Sequence, residues 1–128
     1  MKVYTGETIR TVGLTGHGDT GKTSLATAFL FTAGLTDRLG RVAEGQSITD
    51  FDEEEIARKV SIWSALAHAE WSSPVQKEKV KINLIDTPGY NLFINDTKAA
   101  LVAADATLIL VDSVSGPEIG RASCRERV

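Results

Sequence analysis

Residues Gly16-His17-Gly18-Asp19-Thr20-Gly21-Lys22-Thr23 combine three glycines, a lysine and a closing hydroxyl at the spacing G-x-x-x-x-G-K-[ST]. The chemistry that this set serves is phosphate binding. Glycine lets the backbone turn its N–H groups inward on an anion, and a helix starting at the end of the loop adds the positive end of its dipole. Lys22 is placed to reach the β and γ phosphates of a nucleotide, and the Thr23 hydroxyl to hold Mg²⁺. With glycine near 7% of ordinary sequence, the pattern arises by chance in about 0.5% of chains of this size, which disfavours a plain glycine-rich turn with a surface lysine.

A second candidate is Asp86-Thr87-Pro88-Gly89, directly after the apolar run KINLI. Alone, it is also a good turn sequence. Paired with the phosphate loop, it reads as a carboxylate delivered to the C-terminal end of a parallel strand, where ligands bind in open α/β sheets. Asp86 would lie near Mg²⁺, through water, and the Gly89 N–H would face the γ-phosphate.

The elements that must position these residues are legible around them. Thr11–Thr15 predicts a strand ending at the loop, and Thr23–Ala33 a helix with Leu25, Ala28, Phe29 and Thr32 on one face and Gly34 as its stop. The polar stretch from Gly34 to Lys59, with acids at Asp50, Asp52, Glu53, Glu54 and Glu55, reads as a long loop or a short surface helix, and the acids as a solvated face. Val60–Trp71 alternates as a strand, although its alanines also permit a helix, and a hairpin would join it to VKINLID. Asn91–Ala104 predicts a helix with Phe93, Ile94, Thr97, Leu101 and Ala104 facing one way. Ala106–Asp112 predicts a strand whose continuous apolar run implies burial on both faces. Strands alternating with helices give an α/β fold: a mostly parallel sheet with one antiparallel hairpin, flanked by helices.

Composition narrows the class without naming a function. Hydrophobic residues at 42% and charged residues at 24% fit a globular domain, and 128 residues allow one domain or part of one. A balance of 14 basic against 17 acidic side chains argues against a broad nucleic-acid surface or a polybasic membrane anchor. There is no signal-peptide pattern and no membrane-span stretch, and the single Cys124 allows no internal disulfide, so the cytoplasm is the expected location. Nothing in the pattern implies a stable oligomer. His17 is expected to shape the loop and His68 to be structural, while Trp63 and Trp71 are expected to pack on the hairpin.

The phosphate loop and DTPG together are the signature of GTPases, and IRTVGLTGHGDTGKTSL, ARKVSI and INLIDTPGYNLF resemble elongation factor G and its paralogues from about Ile9 to Gly120. The resemblance implies a P-loop NTPase fold, binding of GTP and GDP with Mg²⁺, GTP hydrolysis, and the ribosome as partner. It also implies that the polar stretch up to Val60 is a first switch, with Ser61 at the family's threonine ligand to Mg²⁺ and Lys59 replacing the usual glycine. Asp19 sits where the elongation factors often carry aspartate; a monovalent cation, a loop hydrogen bond or plain solvation would each suit it. Tyr90 stands where the family typically has the histidine that orients the attacking water. A phenol can hydrogen-bond water but is not an imidazole, so Tyr90 is expected either to orient water in a slower or differently triggered reaction or to pack on the loop.

The guanine-specificity motif Asn-Lys-x-Asp of that superfamily does not occur in the sequence, and RASCRERV departs from the family pattern after Gly120. The expected organisation is therefore a truncated G domain over residues 1–120 with a non-family tail at 121–128. Three functions compete: a ribosome-associated GTPase, a GTP-gated binding protein with negligible turnover, and a nonfunctional fragment.

Overall fold

The computed structural model describes residues 4–37, 52–58, 61–72 and 79–113. Residues 73–78, most of the polar stretch, Lys59, Val60, residues 114–120 and the tail at 121–128 lie outside them. Among the described residues four strands form one sheet. β1 (Ile9–Gly16) and β3 (Lys79–Asp86) are rich in β-branched and aliphatic residues and pair in parallel, with Leu14 opposite Asp86. β4 (Ala106–Leu110) pairs in parallel on the other side of β1, and β2 (Ala65–Ser72) pairs antiparallel with β3, giving the order β2-β3-β1-β4. The hairpin and the mostly parallel sheet are those expected from the pattern.

Both faces of the sheet carry helices. α1 (Lys22–Thr32) lies over the face bearing Val12, Leu84 and Ala69, and α3 (Ile94–Ala103), preceded by a short 3₁₀ turn at Asn91–Phe93, crosses the other face beside Gly13 and Ile85. α2 (Glu53–Arg58) is the short helix that the acidic stretch permitted. The expected face of α3 is the one turned inward, joined by Ala100.

Four expectations are corrected. The buried stripe of α1 is Thr23, Ala26, Thr27 and Leu30, whereas Leu25 and Ala28 are half-buried and Phe29 and Thr32 exposed. Small residues let the helix sit close to the strands, and Thr27 satisfies its hydroxyl on the Thr23 carbonyl at 2.9 Å. The strand expected from Val60 begins at Ala65, because the N–H groups of Ile62 and Trp63 are taken by a carboxylate, Glu55, and not by a neighbouring strand. Among the described residues β4 is an edge strand and is not buried on both faces, with Leu108 and Ile109 about 40% exposed. Trp63 and Trp71 are likewise exposed, and Phe29, Trp71 and Leu108 border an apolar groove of about 480 Å³ between α1 and the sheet.

Candidate functional site

The loop between β1 and α1 closes on itself through Lys22. Its Nζ donates to the carbonyls of Gly16 at 3.0 Å and His17 at 2.6 Å, and Thr20 Oγ1 donates to the same His17 carbonyl at 2.7 Å. Gly21, with φ of 84°, turns the chain into α1 and leaves the first helical N–H groups facing the loop. Asp19 also adopts a left-handed conformation, at φ of 61°, and its side chain is exposed. Burial pushes the Lys22 ammonium below its ordinary pKa of 10.5, and the negative charges of Asp86 and Asp19 partly offset this. An ammonium held in this way gains from any anion placed beside it.

At the start of α1, Thr23 Oγ1 donates to Asp86 Oδ2 at 2.7 Å and lies 3.0 Å from Ser61 Oγ. Residues 23, 61 and 86, read from three separate segments of the sequence, thus converge on one point next to Lys22. Asp86 reaches it because β3 runs parallel to β1 and ends in register with Leu14. Two hydroxyls and a carboxylate are hard oxygen donors of the kind that Mg²⁺ takes.

The Asp86–Gly89 turn is fixed from both sides by threonines that the motif reading passed over. Thr87, fully buried, donates to the Leu14 carbonyl at 2.6 Å, and Thr97 of α3 donates to the Pro88 carbonyl at 3.1 Å. Gly89 then lies directly on the loop: a Cβ there would meet Lys22 Nζ, and the Gly18 nitrogen at 2.6 Å. Tyr90 follows and lays its ring on Gly18, where an added Cβ would stand 2.7 Å from Tyr90 Cζ. Its ring centroid is 6.0 Å from that of His17, tilted by 53°. Gly18, expected to serve backbone turning, has no positive φ, and what the geometry demands of it is space for the tyrosine.

His68 is placed on β2 opposite Asn83, exposed and away from this cluster. The expectation of a solvated acidic face holds for Glu53 and Glu54 and fails for Glu55, which is 1% exposed. The signal that could have separated Glu55 is its place three residues after Asp52, the spacing of a capping box.

A parallel strand running through a glycine loop into a helix, with a second parallel strand bringing an aspartate to the same end, defines a P-loop NTPase. The sequence profile of the elongation factor Tu GTP binding domain matches residues 7–123. The chain belongs to that family of GTP-binding domains. It is 37% identical over 110 residues to mitochondrial ribosome-releasing factor 2 of Anopheles gambiae, covering 86% of the chain and 14% of that protein. It is 34% identical over 111 residues to elongation factor G 2 of Streptomyces coelicolor, covering 87% and 15% respectively. A crystal structure of a protein from Thermus thermophilus superposes with a TM-score of 0.82 at 34% identity, over 94% of this chain and 17% of that one. The chain therefore spans about one-seventh of the length of these curated relatives. Among the described residues no helix is long and apolar enough to cross a membrane.

Proposed function

We propose that the intact protein is an elongation factor G-like GTPase that binds GTP with Mg²⁺, hydrolyses it by in-line attack of water on the γ-phosphate, and acts on the ribosome. The observation that carries this reading is the convergence of Thr23, Ser61 and Asp86 beside Lys22. Two hydroxyls and one carboxylate form a set of hard oxygen donors, which suits a hard cation. Mg²⁺, when bound, supplies charge neutralisation at the phosphate oxygens.

The chain's own residues divide the remaining work. Residues Gly16, His17, Gly18, Asp19, Thr20 and Gly21 form the phosphate cradle, and Lys22 exchanges its two carbonyl partners for β- and γ-phosphate oxygens. The N–H of Gly89 faces the γ-phosphate, a placement favoured by the close approach of that glycine to the loop. Tyr90 orients the attacking water through its phenol. Residues 1–120 form the amino-terminal portion of the G domain, the sequence of residues 121–128 is a tail outside the family pattern, and the protein works in the cytoplasm. Similarity to proteins named as elongation and ribosome-releasing factors supports the ribosome as partner.

A second reading, a GTP-gated binding protein with negligible turnover, is favoured by one observation: Tyr90 packs on Gly18 and offers no imidazole. Single-turnover GTP hydrolysis by the full-length gene product separates the two. Acceleration by ribosomes is expected, and its absence would refute the ribosome-triggered reaction. Tight GTP binding without turnover under either condition would establish the second reading.

A further inference from the structure

Among the described residues, Glu55 is the buried acid that the nucleotide site does not itself use. It sits in the third position of α2, and its carboxylate accepts three backbone N–H groups. Oε1 takes Ile62 at 2.8 Å and Trp63 at 2.9 Å, and Oε2 takes Asp52 at 3.2 Å. Asp52 Oδ1 in turn accepts the Glu54 N–H at 2.8 Å. The Oε2 side is thus half of a capping box, which holds α2 together. The Oε1 side serves no helix. It fixes the two amides that directly follow Ser61.

That attachment bears on the site. A carboxylate is tolerated at 1% exposure when hydrogen bonds replace its water, and bonds from N–H to an ionised oxygen are among the stronger ones in proteins. With Ile62 and Trp63 held, the backbone at Ser61 is fixed from its C-terminal side, and Ser61 Oγ stands 3.0 Å from Thr23 Oγ1. Thr23 continues the chain of contacts to Asp86. We propose that Glu55 is a positioning residue: it clamps the Ile62–Trp63 backbone so that the Ser61 hydroxyl meets the Thr23–Asp86 pair, and so sets the cation affinity of the site from α2. This rests on the reading of residues 23, 61 and 86 as a Mg²⁺ site. Groups that orient metal ligands in this indirect way change metal affinity by about 10- to 100-fold when removed.

The test measures binding of a non-hydrolysable GTP analogue to the chain with Mg²⁺ and with EDTA, together with GDP binding in EDTA as a check on the phosphate loop. Glu55→Ala is expected to lower the Mg²⁺-dependent gain in analogue affinity by about tenfold or more, with GDP affinity in EDTA essentially unchanged. Ser61→Ala should produce a loss of the same kind, and the double variant should lose little more than either, because both changes remove one ligand. Asp52→Ala weakens the cap of α2 and leaves the clamp in place, so it should preserve the gain. Amide exchange at Ile62 and Trp63 should accelerate in Glu55→Ala without nucleotide, a readout that a helix-capping role would not move. Should Glu55→Ala lose GDP binding through misfolding, Glu55→Gln decides. A neutral oxygen accepts the same amides more weakly and should lower the gain in part. A gain that survives Glu55→Ala, or a folded Glu55→Gln that retains it in full, overturns the positioning role alone. A wild-type chain with no Mg²⁺-dependent gain overturns the reading of the site itself.

Discussion

Replacing Thr87 by valine isolates the bond that holds the Asp86–Gly89 turn to β1. Thr87 is fully buried and donates to the Leu14 carbonyl at 2.6 Å. Valine has nearly the same shape, so no cavity opens, and the change removes one hydroxyl while stripping the Leu14 carbonyl of a donor. A net intramolecular hydrogen bond contributes about 0.5–1.5 kcal/mol, and leaving a buried partner under-satisfied costs about 1–3 kcal/mol. Because that carbonyl also lies within a paired strand, the lower part of that range applies, and a loss of about 1–2 kcal/mol is expected. For a domain of this size that corresponds to a fall in Tm of about 4–8 °C. Urea and thermal unfolding of the wild type and of Thr87→Val supply the measurement. Thr97→Val, which releases Pro88 from the other side, should give a smaller loss, since its bond is longer at 3.1 Å. GDP affinity should fall in both, since Gly89 rests on Lys22 and Gly18 only while the turn is held. A Thr87→Val chain with unchanged midpoint and unchanged GDP affinity would refute the claim that this hydroxyl anchors the turn.

Other outcomes follow from the same geometry. Gly89→Ala should reduce nucleotide affinity and stability more than Gly18→Ala. At Gly89 the added methyl meets backbone, which cannot rotate away, at a cost of about 1–3 kcal/mol; at Gly18 it meets the Tyr90 ring. Tyr90→Ala should then relieve Gly18→Ala, and calorimetric titration with GDP reports both. The pH response of Lys22 has a definite sign. Burial lowers its pKa in the nucleotide-free fold, so the unfolded chain binds more protons between that value and 10.5, and stability should rise with pH across this alkaline window. Phosphate raises the pKa again, so nucleotide binding should take up a proton and weaken as pH climbs through the free-state value. Titrations in buffers of different ionisation enthalpy detect that proton, and its absence would count against Lys22 as a phosphate ligand. Thr23→Ala should remove most of the Mg²⁺ dependence of GTP binding, since this hydroxyl touches both Ser61 and Asp86.

The local motifs needed no tertiary information. The loop from Gly16 to Thr23, the strand ending in Asp86 and the helix after each are dictated by glycine spacing, apolar periodicity and chain direction, which act over a few residues at a time. Membership of a GTP-binding family follows from the same short segments. What tertiary structure decided was which of several equivalent-looking side chains were taken out of water. Glu55 shares its residue type with its exposed neighbours Glu53 and Glu54, and the capping-box spacing after Asp52 marks it only as a helix cap. Only the fold brings the Ile62 and Trp63 amides to one of them, and in doing so it delays β2 to Ala65. Thr87 and Thr97 likewise become anchors only because β1 and the turn itself offer carbonyls at the right distance. The apolar run of β4 speaks for burial, yet burial needs a neighbour on each side, and that depends on the whole sheet. Hydrogen-bond partners distant in sequence leave no periodic trace, which is why the chemistry of the site was readable in advance and its supports were not.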